Sequence, residues 1–374
     1  MLRPGAEPET RGPFWVPTTR PPDAAPRIVT LGGGTGLPVL LRGLRHALRT
    51  APGAMAPTDR ECLTAIVTVA DDGGSSGRLR DAYGMQAPGD IRNCLIALSD
   101  GDPTLASLFG YRFNSGGDVA GHSLGNLILA ALSELESRFD LAVDRAGDLL
   151  GARGRVLPAT SAAVGLVAEL DDGTRVEGES RIGAATRPIR RLRLHPSDVP
   201  PLPQAIAAVE RADCVVVGPW SLYTSLIPVL LVRELTEAIA RSGARVVLVM
   251  NLMTQPGETD GYSARDHLLA LRAHAPRLRV HDVILNVKRV AEPVRERYAG
   301  EGAIPLTTDA GALAALGCGI WTGDLLASGD HVRHDPHKLA RAVLQVAGRR
   351  RTAPVARMNA PAAPRVERRA ESGS

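Results

Sequence analysis

The chain has 374 residues, 44% of them hydrophobic, and a formal net charge of +4. That is an ordinary globular composition, long enough for a large core, and no apolar run reaches the roughly 18 residues of a membrane span. The charge sits in a tail: residues 349–374 carry seven arginines against Glu367 and Glu371, residues 1–26 are balanced, and about −1 is left for the body, which excludes a nucleic-acid surface on the folded part.

Residues 1–26 hold seven prolines and read as a disordered leader, with 349–374 a disordered basic tail. Between them, 27–348 are expected to form a single α/β domain. Cys62, Cys94, Cys214 and Cys318 lie far apart, which argues against a disulfide framework or a structural zinc. With no signal peptide in view, a cytoplasmic location is expected.

The first strand is expected at 27–31, opening into Gly32-Gly33-Gly34-Thr35-Gly36. A helix follows through Leu40, Leu41, Leu44 and Leu48, spaced by three and four. The β-branched run 63–70 reads as a strand covered on both faces. Further strands are expected at 214–217, 245–250 and 280–285, each beside helical periodicity. The alternation predicts a Rossmann-like, mostly parallel sheet with helices on both faces. One stretch breaks the rhythm. Residues 164–170, the turn Asp171-Asp172-Gly173-Thr174 and residues 175–179 read as a β-hairpin, an inserted antiparallel element over about 154–195.

The loops at the strand ends carry the chemistry. Gly33, Gly34, Thr35 and Gly36 stand between a strand and a helix, where free N–H groups and close backbone approach favour a phosphate; a ligand-free turn is the alternative. A Walker A loop is excluded, because Lys288 and Lys338 are the only lysines. The G-x-G-x-x-G spacing is not met either. After the second strand, Asp71 and Asp72 can receive a ligand hydroxyl or a divalent metal, with Ser75, Ser76 and Arg78 beside them; a plain turn is the alternative. Asp90 and Asn93 in PGDIRN, and His122 and Asn126 in GHSLGN, stand before helices. Asp90 is also a natural N-cap, and His122 an ordinary capping or core histidine. Ser221 and Tyr223 follow the strand at 214–217, and Asn251 and Thr254 follow that at 245–250. In an open α/β sheet these loops share one edge, which predicts a binding crevice.

Taken together, the strings Gly32–Leu37, ADDGGSSGR (70–78), PGDIRN (88–93), AGHSLGN (120–126), VLPAT (156–160), SLYTS (221–225) and NLMTQPGET (251–259) resemble the bacterial gluconeogenesis factor family, the YvcK branch of the CofD-like proteins. The match runs from about 27 to 345. It implies a CofD-like fold, a role in carbon metabolism and in cell-shape or cell-wall control under gluconeogenic growth, and a UDP-sugar ligand such as UDP-N-acetylglucosamine. CofD itself moves a phospholactyl group onto a deazaflavin with a divalent metal. The transferase alternative would therefore use Mg2+ or Mn2+ on Asp71 and Asp72, and an NAD-binding oxidoreductase is the third reading. The lack of a dedicated nucleophile or a histidine cluster favours binding over turnover. By position, Tyr298 and Arg333 resemble residues the family uses for its UDP-sugar. Aromatics make up 3% of the chain, so Tyr223, Tyr262 and Tyr298 are the candidates for stacking on uracil. Trp220 stands where the family has glycine in GPGSLYTS, a departure expected to reshape one wall. A homo-oligomer stays open, and no protein partner is indicated.

Overall fold

The computed structural model describes residues 25–50 and 60–348; the expected tail and nearly all of the expected leader lie outside them. Seven strands form one sheet in the order β10-β9-β8-β7-β1-β2-β3. They are β1 (Ile28–Gly32), β2 (Leu63–Val67), β3 (Arg155–Pro158), β7 (Cys214–Val217), β8 (Arg245–Val249), β9 (Asp282–Asn286) and β10 (Gly319–Gly323), and every pairing is parallel. Helices cover both faces, so β1, β2 and β7 are buried along their whole length. That is why their sequences are unbroken β-branched and apolar runs. Ile28, Leu31 and Ile66 are fully buried, as are Leu40, Leu41 and Leu44 of the helix Gly36–Thr50.

Strand order fixes where a ligand can sit. The chain runs β1, β2, β3 in one direction, then crosses back to β7 beside β1 and continues outward to β10. The direction therefore reverses between β1 and β7, and the crevice outside their carboxyl ends is the topological switch point. The loops beginning at Gly32 and Gly218 both leave the sheet there.

The hairpin expected within 164–179 is present and gains a third strand. β4 (Gly165–Leu170) pairs antiparallel with β5 (Arg175–Glu177) and with β6 (Ile189–His195). The insert starts later than the expected 154, because Arg155–Pro158 joins the main sheet through parallel pairing of Arg155 with Thr64 and Pro158 with Val67. Its second strand also stops at Glu177 rather than 179, since Glu179–Gly183 is helical. The strand expected at 63–70 closes at Val67, and the residues after it form the loop over the sheet edge.

Asp72 ties this insert to the main sheet. Its Oδ2 accepts the Glu179 N–H and its Oδ1 the Ser180 N–H, each at 2.9 Å, so it caps a helix from another part of the chain. Asp72→Ala is expected to cost about 1 kcal/mol and to speed amide exchange at Glu179 and Ser180. Unchanged exchange there would show that the insert is held by its other contacts.

Candidate functional site

A cavity of about 700 Å3 opens at the switch point, within the roughly 300–1,000 Å3 range of small-molecule sites. Thr35 and Gly36 from the first loop form one wall, with Asn93 beside them. Ser221 after β7, and Asn251 and Thr254 after β8, form the next. Tyr298 and Arg333 line it as well. Eight of the expected site residues thus meet around one space. A smaller cavity of about 390 Å3, beside Gln86 and Ser137, is lined by none of them.

The remaining candidates sit behind the wall. Asp90 does not cap its helix, Gly89–Leu98; its Oδ2 instead accepts the Gly34 N–H at 2.8 Å, and the carboxylate fills the space a Cβ on Gly33 would take. The expectation that the Gly34 amide is free for a phosphate is therefore corrected, because a carboxylate already holds it. Burial pushes the Asp90 carboxyl up to about 6, and the charge of Asp71 adds to the rise.

Next to it runs a buried polar network. Ser75 Oγ lies 3.0 Å from His122 Nδ1 and accepts Asn126 Nδ2 at 3.0 Å. Arg92 donates to Asn126 Oδ1 at 2.9 Å, to Ser123 Oγ, and to Asn93 Oδ1 at 2.8 Å. Asn93 is thus the link between this network and the cavity. His122 is buried, and burial together with the charges of Arg78 and Arg112 lowers its pKa. His122, Asn126 and Ser75 shape the wall from behind rather than line it, which revises their reading as ligand contacts. Ser76 is buried and packs with Asp71 against Gly89.

The paired aspartates point apart. Asp71 Oδ1 accepts the Gly73 N–H at 2.9 Å, while both oxygens of Asp72 are taken by the insert. Among the described residues no group of three His, Cys, Asp or Glu is placed to hold a metal. The pair therefore does not fit the two-carboxylate metal site expected of it. Asp71, Asp72, Asp90 and Glu258 do raise Glu179, whose carboxyl is pushed up to about 7, chiefly by burial.

Tyr223 is also corrected. It lies in one turn of π-helix, Leu222–Leu226, and is 2% exposed. Its hydroxyl meets that of Tyr262 at 2.9 Å. Its N–H donates to Glu258 Oε2 at 3.1 Å, and Thr224 Oγ1 donates to Glu258 Oε1 at 2.7 Å. It is a core side chain with no face to offer a ligand. Of the three candidate tyrosines only Tyr298 lines the cavity, its hydroxyl accepting the Val332 N–H at 3.2 Å and so bracing the loop that carries Arg333.

Trp220 lines the cavity too, yet only 6% of it is exposed. Its ring lies on Gly32, in space that any Cβ there would occupy, and Asn251 Nδ2 holds its carbonyl at 3.0 Å. The expected reshaping takes this form: the indole fills the floor of the switch-point crevice. Arg42, on the first helix, also lines the cavity and is not among the sequence candidates. On an amphipathic helix it reads as one more solvated arginine.

The comparisons with known proteins decide the family. The profile described as 2-phospho-L-lactate transferase CofD matches residues 28–326. The gluconeogenesis factor of Bacillus subtilis (strain 168) is 44% identical over 322 residues, covering 86% of this chain and 98% of that protein. The chain belongs to the gluconeogenesis factor family of CofD-like proteins. The family's gluconeogenesis factor from Halalkalibacterium halodurans is 45% identical over 319 residues, covering 85% of this chain and 95% of its own. A crystal structure from Bacillus halodurans superposes with a TM-score of 0.80 at 43% identity, covering 86% of this chain and 99% of that one. The family fold is thus the α/β sheet described above. No described helix is long and apolar enough to cross a membrane.

Proposed function

We propose that this protein is a regulatory binding protein whose switch-point cavity takes a UDP-sugar of the UDP-N-acetylglucosamine type, and that it serves cell-shape and cell-wall control under gluconeogenic growth. The observation that carries the reading is the meeting of Tyr298 and Arg333 with Thr35 and Gly36 of the glycine loop around one cavity. An aromatic face suits a uracil ring, and a planar guanidinium suits a diphosphate. The two lie 35 positions apart in the chain but are tied together by the Tyr298 hydroxyl. Trp220 and Tyr223 are buried, whereas Tyr298 is half-buried and lines the cavity, with the Arg297 guanidinium 5.4 Å from its ring centroid.

Calorimetric titration with UDP-N-acetylglucosamine, GDP and NAD, each with and without Mn2+, separates the readings. Saturable binding of the UDP-sugar without metal is expected. A heat that requires GDP and Mn2+ would favour the transferase chemistry of CofD, and one seen only with NAD an oxidoreductase. Tyr298→Ala and Arg333→Ala should each weaken the UDP-sugar at least about tenfold, or roughly 1.4 kcal/mol, with the melting temperature of the free protein unchanged. Equal affinity in both variants would place the nucleotide elsewhere.

A further inference from the structure

We propose that Arg42 and Arg333 together form an anion subsite, two guanidiniums that bracket the diphosphate of the ligand, with Arg42 a binding residue in its own right. The inference rests on the UDP-sugar reading for the identity of the ligand, but not for the existence of the subsite.

Two features of the cavity carry it. First, the two arginines come from distant elements, the helix that starts at the glycine loop and the loop before the helix Pro336–Ala347, yet both line the same space. They are close enough for the charge of Arg333 to lower the pKa of Arg42, after the larger effect of burial. Second, neither is paired with a carboxylate, although Glu301 also lines the cavity. Arg49, Arg60, Arg138, Arg153 and Arg245 all have acidic partners, whereas neither Arg42 nor Arg333 makes an ion pair among the described residues. Two like charges placed together without a counter-ion repel, and the configuration is relieved by an anion with acceptor oxygens on two sides. Two linked phosphoryl groups meet that demand better than one, because each guanidinium can then take its own phosphate in a bidentate fork.

The acidic side of the site strengthens the placement. Asp90 holds the Gly34 amide, with the charge of Asp71 close enough to raise it. A diphosphate is therefore turned away from Gly33 and Gly34 and towards Thr35, Gly36 and the two arginines. The anion is bound by side chains and the start of the first helix, not by the whole glycine loop.

The test titrates UDP, uridine and inorganic pyrophosphate into the full-length protein and into Arg42→Gln and Arg42→Lys. Arg42→Gln is expected to weaken UDP and pyrophosphate at least tenfold and to leave uridine within twofold. Arg42→Lys should fall between, since it keeps the charge but loses the fork. UDP affinity unchanged in Arg42→Gln would overturn the proposal. An equal loss for uridine and UDP would do so too, because Arg42 would then shape the pocket rather than meet phosphate. If the unaltered protein binds pyrophosphate through Arg42 but no uridine nucleotide, the subsite stands and the UDP-sugar reading falls.

Discussion

Gly36→Ala is expected to abolish UDP-sugar binding and to lower the melting temperature of the ligand-free protein by several degrees. Gly36 opens the first helix with a φ outside the left-handed range, so the requirement is not conformational. A Cβ at this position would overlap the carbonyl oxygen of Pro219, which is backbone and cannot swing aside. The start of the helix and the loop after β7 would have to part, and both line the cavity. Overpacking of this kind costs about 1–3 kcal/mol, and each kcal/mol is worth roughly 2–4 °C in a protein of a couple of hundred residues. Gly34 offers the internal control. It has φ +61, and a Cβ there would come no closer than 3.3 Å, to Ser225 Oγ. Gly34→Ala should therefore cost only the left-handed backbone penalty of roughly 1–2 kcal/mol. Thermal melts and titrations of the two variants side by side decide the matter: a Gly36→Ala protein no less stable than Gly34→Ala would remove close approach as the reason for the glycine.

Much of this arrangement was legible in the sequence because the central strands are buried on both faces. β1, β2, β7, β8 and β9 announce themselves as apolar runs, and their loops must then share one edge. The edge strands were not legible for the converse reason. β10 is Gly-Ile-Trp-Thr-Gly and partly exposed, and β3 is Arg-Val-Leu-Pro, with an arginine at one end and a proline at the other, so neither produces an apolar run. β6 alternates over its last residues, with Leu192 and Leu194 buried between exposed Arg191, Arg193 and His195; that period-two signal could have revealed the third strand of the insert. Within the site, the sequence places a loop but not the direction of each side chain. Asp71 and Asp72 are adjacent, yet the second is claimed by a helix more than a hundred residues away, which no local pattern encodes. Tyr223 fails as a candidate because the turn it belongs to is π-helical and buried throughout. Arg42 escapes notice because its role depends on a loop that returns from the far end of the chain.

Trp220 gives the family site a feature of its own in this chain. An indole on the floor between β1 and β7 closes the part of the crevice that lies directly over the switch point. The ligand is then held further out, between the first helix and the Tyr298 and Arg333 segment. This is consistent with the positions of the unpaired arginines, and it separates the anion from the carboxylate on Gly34.

That carboxylate leads to an unusual pH response. Between about pH 4 and 6 the contribution of Asp90 to the stability of the ligand-free protein should fall as pH rises, so Asp90→Asn should gain in stability relative to the unaltered protein across that window. The folded-state pKa of Asp90 is about 6 against a reference of 3.8. Below the reference value the group is protonated in both states and costs nothing. Between the two values the folded chain still holds a proton that the unfolded chain has released, so the unfolded state binds fewer protons and stability falls with rising pH. Above about 6 both states are ionised, and the folded one carries a buried charge at a cost on the order of 2–3 kcal/mol. Burial is the main cause and Asp71 adds to it, while the Gly34 N–H and the charge of Arg92 offset part. Glu179 acts in the same direction over a window that ends near 7. Asp100, Asp266 and Asp324 are shifted down, so their contributions are lost below about pH 4. His122, His267, His274 and His334 are also shifted down and act in the opposite direction below about 6.5. The Asp90 effect is therefore read as the difference between the variant and the unaltered protein. Asparagine at position 90 keeps an oxygen for the Gly34 amide and discards the charge. Melting temperatures of Asp90→Asn should therefore exceed those of the unaltered protein at pH 7.5 and match them at pH 4. The same change should tighten the UDP-sugar at pH 7.5, by removing a negative charge beside the phosphate loop. An Asp90→Asn protein that is less stable at pH 7.5, with an unaltered slope between pH 4 and 6, would show that the carboxylate is ionised at little cost and that the Gly34 bond alone explains its place.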